Sequence, residues 1–75
     1  MWKVVGYGVR DGEKGRYYDL FLQREAQAPA QGVEVLRGDY SAKKISYIPT
    51  IGDIVVVSFD SYQGRRYISE VYKVK

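Results

Sequence analysis

Arg16-Tyr17-Tyr18-Asp19-Leu20-Phe21-Leu22-Gln23-Arg24 is the stretch of sequence that decides the fold. Its hydrophobic pattern has a period of two, which is typical of a β-strand with one buried face. One face carries the residues that we expect to turn toward the core: Tyr18, Leu20 and Leu22. The opposite face carries the residues that we expect to turn outward: Tyr17, Asp19 and Phe21. The turn-forming residues 11–15 precede this strand and predict a hairpin with the segment before them.

Further short runs of β-branched and aromatic residues lie between clusters of Gly, Pro, Asp and Ser, and they predict more strands. The predicted strands cover residues 2–9, 16–24, a segment that starts near 33–36, 54–59 and 65–74. Gly6 and Gly8 inside the first strand indicate a bulge or sharp bend. The run 54–59 is the most apolar in the chain and therefore predicts the central strand.

The connections between strands carry their own signals. Residues 49–53 and 60–64 contain turn-forming residues, and the second of these turns predicts another hairpin. The Gly38-Asp39 pair predicts a turn, or one helical turn at most, between Arg37 and Lys44. Residues 26–32 form a polar loop of small residues that is able to touch a ligand.

Five short strands with two hairpins and no helical repeat predict a single all-β domain over residues 1–75. Closing such a sheet into a small five-stranded barrel protects its edges without using more residues. An OB-fold-like barrel is the leading expectation and an SH3-like barrel is the alternative. The number of strands does not separate the two.

The chain contains no Cys and no His. Disulfides, thiol nucleophiles, the commonest zinc ligands and imidazole acid-base groups are therefore excluded. The acidic residues show no spacing of paired catalytic carboxylates or of a divalent-metal loop. We accordingly expect no catalytic residue, metal site, cofactor or small-molecule substrate, and we expect a binding protein instead of an enzyme.

The N-terminal apolar run is too short for a signal peptide, and no segment approaches the roughly 20 apolar residues that cross a membrane. We therefore expect a protein with no membrane partner, in the cytoplasm of a bacterial or infected host cell.

Charge and aromatic content point to a ligand class. The net charge is +3, the isoelectric point is about 9.2 and aromatic residues make up 15% of the chain. Basic residues adjoin aromatic ones in three places: Arg16-Tyr17-Tyr18, Lys43-Lys44 between Tyr40 and Tyr47, and Arg65-Arg66-Tyr67. Binding of single strands uses this mixture, because cations neutralise phosphates while aromatic rings stack on unpaired bases.

The candidate nucleic-acid-binding residues are Arg10, Arg16, Tyr17, Tyr18, Phe21, Arg24, Lys43, Lys44, Tyr62, Arg65 and Tyr67. The competing interpretation is that Lys and Arg form a solvated face or guard a sheet edge. Neighbours on a strand point to opposite faces, so at most one of Arg65 and Arg66 can lie on a given surface. Trp2 is expected in the core or at an interface.

Two stretches resemble a known family. They are Gly15-Arg16-Tyr17-Tyr18-Asp19-Leu20, and the segment from Tyr47-Ile48-Pro49 to Ile68. They are similar to the DNA-binding wing and the C-terminal hairpin of the small single-stranded-DNA-binding proteins of filamentous phages, the gene V type. The resemblance covers about half the chain, and it places Tyr18 on the stacking tyrosine of the family and Arg16 on its basic position.

The resemblance implies an OB-like barrel that forms a homodimer and coats single-stranded DNA during phage or mobile-element replication. The leading hypothesis is therefore sequence-tolerant binding of single-stranded nucleic acid by such a dimer. The alternative hypothesis is an SH3-like protein-interaction or phage-assembly module whose tyrosine-rich face holds a peptide or another subunit.

Overall fold

The computed structural model describes residues 1–24 and 34–75. It contains one antiparallel sheet with the strand order β3-β2-β1-β4-β5. The strands are β1 (Trp2–Gly12), β2 (Gly15–Arg24), β3 (Val35–Ser41), β4 (Ile54–Tyr62) and β5 (Arg65–Lys73). The predicted all-β class with five strands is confirmed. The loop predicted over residues 26–32, and residue 33, lie outside the described residues.

The sheet curls because β1 takes part in two unequal pairings. It pairs with β2 from Trp2 to Gly12, whereas its pairing with β4 is confined to Trp2 and Lys3. A bulge interrupts the β1–β2 register between Val4 and Gly6, as the glycines of this strand predict. β4 begins at Ile54, opposite Lys3, so it does not run beside the rest of β1, and the sheet curls until β3 packs against β5. The result is a barrel-like sheet that is not closed.

The core lies inside this curl. The buried apolar residues are Val4, Leu20, Leu22, Tyr40, Val55 and Ile68. The inward parity predicted for β2 is therefore confirmed. Trp2 packs on this cluster and meets the ring of Phe59 edge-on, with centroids 6.4 Å apart, in agreement with the predicted core position. Each fully buried aliphatic side chain contributes about 1.5–3 kcal/mol to the free energy of unfolding.

The prediction that residues 54–59 form the central strand is wrong. β1 occupies the middle of the order, and β4 lies between β1 and β5. The valine run alternates in burial, since Val55 is fully buried and Val56 is 43% exposed. An antiparallel sheet with one packed face needs apolar residues on that face alone, so a continuous apolar run does not identify the middle strand here.

The turn predicted between Arg37 and Lys44 is present, but Gly38 and Asp39 are not part of it, because both residues lie within β3. A Cβ at Gly38 would lie 2.8 Å from Cγ1 of Ile68. Glycine is thus needed at this position because the backbone of β3 approaches the side chains of β5 closely. The turn follows β3 instead, over residues 42–44.

Both predicted turns of the C-terminal half are present. Asp53 N–H donates to the carbonyl of Thr50 over 3.1 Å, and Gly52 adopts a positive φ of 99°. The second hairpin turns on Gln63 and Gly64 alone, with φ values of 52° and 76°. Positive φ at both central residues indicates a two-residue turn of type I′. Residues 60–62 were predicted to belong to the turn, but they extend β4 instead.

Candidate nucleic-acid interface

The side of the sheet that faces away from the core is called the outer face below. The strand register places its residues in three cross-strand rows over β1, β2 and β3. The rows are Arg10–Tyr17–Ser41, Gly8–Asp19–Asp39 and Gly6–Phe21–Arg37. Residues directly opposite each other in a sheet share a face, so arginine, aromatic and acidic side chains alternate across this surface.

Asp39 links β1 to β5 on the outer face. Its Oδ2 accepts a hydrogen bond from Nη2 of Arg10 over 2.7 Å and another from Nη2 of Arg65 over 3.1 Å. The side chain of Asp39 is 15% exposed, whereas those of Arg10 and Arg65 are 47% and 68% exposed. The acid therefore lies beneath two arginines that retain outward-facing donors.

Asp19 extends the same arrangement across β2. Its Oδ2 lies 3.4 Å from Nε of Arg10, and its Oδ1 lies 3.3 Å from Nη2 of Arg37. Oδ1 is buried and has no hydrogen-bond partner, so Arg37 meets Asp19 through charge attraction without a well-aligned hydrogen bond. The five residues Arg10, Asp19, Arg37, Asp39 and Arg65 are called the arginine–aspartate network below.

Two aromatic rings flank the network along β2. The guanidinium carbon of Arg10 lies 5.4 Å from the ring centroid of Tyr17, within the range of a cation–π contact. Phe21 is 38% exposed. It lies over Gly6, where an added Cβ would be 3.7 Å from Cδ2 of Phe21. Because residue 6 has no side chain, the ring of Phe21 lies against the backbone of β1 and still remains partly exposed.

The β4–β5 hairpin adds further candidate residues. Tyr62 pairs with Arg65 and Asp60 pairs with Tyr67, so these residues share the face of the hairpin that is opposite to Ile68. Tyr62 is 70% exposed. The bond from Arg65 to Asp39 connects this face to the rows on β1, β2 and β3. The structure thus brings Arg10, Tyr17, Phe21, Tyr62, Arg65 and Tyr67 to one surface.

Tyr18 and Arg66 turn the other way, as the alternation of strand residues predicts. The ring of Tyr18 stacks on Tyr40 at a centroid distance of 5.4 Å and an interplanar angle of 24°. Arg66 lies over the ring of Phe59 at 5.0 Å. The ring of Tyr18 therefore packs on Tyr40 and is not available to stack on a base.

Arg16 and Arg24 lie away from the network. Arg16 binds the exposed Asp11 with an Nε–Oδ1 distance of 3.2 Å, and this hydrogen bond raises the pKa of Arg16. Arg24 lies 5.0 Å from the ring of Trp2 at the opposite end of the β1–β2 hairpin. At about 3.3 Å per residue this position is about 25 Å from Arg10.

Lys43 and Lys44 follow β3 and lie beside the tip of the β1–β2 hairpin. The N–H of Ala42 donates to the carbonyl of Arg16 over 2.9 Å, which holds this turn against β2. A Cβ at Gly15 would lie 3.2 Å from Cε of Lys43, so the lysine stem crosses the start of β2. Both lysines are exposed, and neither forms a salt bridge within the described part of the chain.

A second polar cluster is formed where the segment between β3 and β4 covers the core. Tyr40 donates its hydroxyl to the carbonyl of Tyr47 over 2.7 Å, and the hydroxyl of Tyr47 donates to Oδ2 of Asp53 over 2.6 Å. Nζ of Lys73 lies 3.6 Å from Oδ1 of Asp53. These four residues are called the tyrosine–aspartate chain below. Asp53 belongs to the predicted turn at residues 49–53. Its buried side chain also accepts the bond from Tyr47, which holds residues 45–53 against the sheet.

The pKa values of the two tyrosines reflect their surroundings. Burial, followed by the hydrogen bond to Asp53, raises the pKa of Tyr47 to about 12. Burial also raises the pKa of Tyr40. Both hydroxyls therefore remain neutral donors throughout the physiological pH range.

Sequence reasoning missed Arg37 and Asp39. The signal that identifies them is the alternation of Leu36, Gly38 and Tyr40 with Arg37, Asp39 and Ser41. The Gly-Asp pair masked this alternation because it is also a common turn signal.

Within residues 1–24 and 34–75, no cluster of three or more His, Cys, Asp or Glu side chains is placed to hold a metal ion. The same residues include no helix long and apolar enough to span a bilayer. Comparisons with known protein families, with curated proteins and with solved structures found no match. The geometry of the outer face is therefore what bears on function.

Proposed function

We propose that this protein binds single-stranded nucleic acid, and DNA in particular, along the outer face with little sequence preference. One observation carries the proposal: three arginines lie between the half-buried ring of Tyr17 and the exposed ring of Phe21 on one surface. Guanidinium groups bind phosphate oxygens with two parallel hydrogen bonds, and aromatic rings stack on bases of any identity.

The spacing of the two rings supports binding of an extended strand. Tyr17 and Phe21 are four residues apart on β2, which corresponds to about 13 Å. Two rings at this separation cannot stack on the same base. A strand that runs along β2 would meet them in succession, with the guanidinium groups of Arg10 and Arg37 between them for its phosphates.

The local charge predicts a binding affinity that depends strongly on salt. The network contains three arginines and two aspartates, so its own net charge is one positive unit. Lys43 and Lys44 lie near the same end of β2 and increase the positive potential. Phosphate contacts of this kind release counterions, so affinity falls steeply as the salt concentration rises.

The barrel-like sheet supports the same proposal. Strands 2 and 3 of OB-folds and their β1–β2 and β4–β5 loops bind oligonucleotides. Here the rows lie on β2 and β3, and the tips of both hairpins border the same face. An OB-like fold, a homodimer, a cytoplasmic location and a role in phage or mobile-element replication form the remainder of the proposal.

The test is a titration of a fluorescent oligo-dT by anisotropy at about 50 mM and about 200 mM salt. The proposal predicts saturable binding that weakens by at least tenfold between the two conditions. The double variant R10Q/R65Q should bind more weakly, with a shallower salt dependence. The double variant R24Q/R66Q is the matched control, because it removes two cations that lie over Trp2 and Phe59, away from the outer face. Absence of binding at the lower salt concentration would refute the proposal.

An SH3-like interaction module is the second candidate function, and one observation favours it. Tyr7 and Val9 lie on the inward side of β1 beyond the bulge, yet they are 44% and 50% exposed because β4 begins opposite Lys3 and does not run beside this part of β1. Exposed apolar groups of this kind are typical of protein contacts. Failure to bind oligo-dT, together with salt-insensitive association with a protein or peptide, would support this function instead.

A further inference from the structure

Asp39 and a phosphate group compete for the same donors. A carboxylate and a phosphodiester each offer oxygen atoms to a guanidinium in similar geometry. Asp39 Oδ2 already binds both Arg10 and Arg65. A strand that reaches this part of the outer face must therefore exchange with the carboxylate or share its arginines.

The two arginines are not equally held. The hydrogen bond from Arg10 is 2.7 Å long and that from Arg65 is 3.1 Å. Arg10 also contacts Asp19 and the ring of Tyr17, whereas the contacts of Arg65 within the network are confined to Asp39. Arg65 is also the more exposed of the two. Arg65 is therefore the arginine whose bond to Asp39 can be broken at the lower free-energy cost.

We infer that Asp39 is a positioning residue that binds Arg65 in the free protein, and that Arg65 exchanges Asp39 for a phosphate when a single strand binds. This inference rests on the proposed function. Arg10 stays on Asp39 during the exchange, so the carboxylate is never left unpaired. The packing of Gly38 against Ile68 keeps β3 and β5 together during the exchange.

The inference predicts that Asp39 weakens binding. D39N keeps a side-chain oxygen for Arg10 but removes the charge that retains Arg65, so its affinity for oligo-dT should rise about tenfold at low salt. The slope of log affinity against log salt should become steeper by about 0.7, the value for one further phosphate contact to a single strand. E70Q removes an equal charge from an exposed acid that lies five residues, or about 17 Å, along β5 from Arg65, and we expect it to change affinity less than twofold.

A double-mutant cycle separates exchange from a purely structural role. In the wild-type background, the phosphate contact of Arg65 replaces its bond to Asp39. R65Q therefore costs only the difference in free energy between these two interactions. In the D39N background the same substitution sacrifices the whole contact, so its cost in affinity should be about threefold to tenfold greater. Equal costs in both backgrounds, or weaker binding by D39N than by the wild type, would overturn the inference.

A measurement on the unmodified chain covers the cases in which D39N does not fold or oligo-dT does not bind. Inorganic pyrophosphate is titrated while the side-chain NMR signals of Arg65, Arg10 and the Asp39 carboxyl carbon are followed. The inference predicts that the Arg65 and Asp39 signals move together with one midpoint, and that Arg10 moves less. Movement of Arg65 without Asp39, or no movement of either, would contradict it whatever oligo-dT does.

Discussion

The two polar clusters each contain an aspartate that accepts two groups, and the two acids are similarly buried, since the side chain of Asp53 is 11% exposed and that of Asp39 is 15% exposed. Their partners differ. Asp53 receives the neutral, part-buried hydroxyl of Tyr47 at 2.6 Å together with the ammonium of Lys73, whereas both partners of Asp39 are exposed arginines. The bond from Tyr47 is thus held within the fold, whereas both arginines of the arginine–aspartate network are open to solvent.

This difference indicates which cluster maintains the fold and which is available to a ligand. Breaking the part-buried bond between Tyr47 and Asp53 would leave the tyrosine hydroxyl unsatisfied, and that costs about 1–3 kcal/mol. An exposed ion pair contributes about 0–1 kcal/mol to stability, so its partners can be replaced at little cost. Substitutions in the two clusters should therefore separate stability from binding.

The largest effect is expected for D53A. It removes the acceptor of the Tyr47 hydroxyl and the partner of Lys73, and it should lower the free energy of unfolding by about 2–3 kcal/mol. Urea unfolding followed by circular dichroism measures this loss. The affinity of the folded fraction for oligo-dT should be unchanged, and a parallel loss of affinity would show that the two clusters are not separate.

The next effect separates neighbouring tyrosines. Y18A removes a ring stacked on Tyr40 and should lower the free energy of unfolding by about 2 kcal/mol. Y17A should leave stability nearly unchanged and weaken oligo-dT binding by about 1–3 kcal/mol. Each variant is the control for the other in paired unfolding and anisotropy experiments. The reverse pattern would show that Tyr18, the position implied by the phage-protein resemblance, carries the stacking.

A smaller effect is expected for R37Q. Arg37 is exposed and meets Asp19 without a hydrogen bond, so the free energy of unfolding should change by less than about 1 kcal/mol. Oligo-dT affinity should fall about tenfold, which corresponds to about 1.4 kcal/mol. R66Q is the matched control, because Arg66 lies over Phe59 on the opposite side of β5. Equal losses in R37Q and R66Q would indicate a general charge effect.

The smallest effect is a decline of stability in alkali. The pKa of Tyr47 is raised from 10.0 to about 12 in the folded chain, so the neutral form is favoured there. Its contribution is fully present below pH 10 and is lost as the pH rises toward 12. Urea unfolding over this range should show the decline, and Y47F should show a shallower one. An unchanged slope in Y47F would mean that other groups cause it.

Local pattern accounts for much of what the sequence could predict. The alternation of Leu20 and Leu22 with Phe21 fixed the parity of β2, and the glycines of β1 indicated its bulge. Gly38 was misread because glycine is required there by the close approach of the Ile68 side chain, which is 30 residues away in the chain. The residues next to Gly38 in the sequence give no information about a contact with a residue so distant in the chain.

The candidate surface was predictable in part for the same reason. Tyr17, Phe21 and Arg65 could be assigned to outward positions from parity within their own strands. The pairing of Arg65 with Asp39 depends on the curl that brings β5 to β3, and neighbouring residues do not encode that approach. The neutralising acids of the face were therefore overlooked, although they determine how much positive charge it presents.

The most direct test of the outer face is an NMR titration of the uniformly labelled protein with oligo-dT at low salt. We expect the largest shift changes at Arg10, Tyr17, Phe21, Arg37 and Arg65, and small changes along the tyrosine–aspartate chain. Shift changes centred on Tyr47 and Asp53, or on Tyr7 and Val9 with the outer face unaffected, would contradict this account.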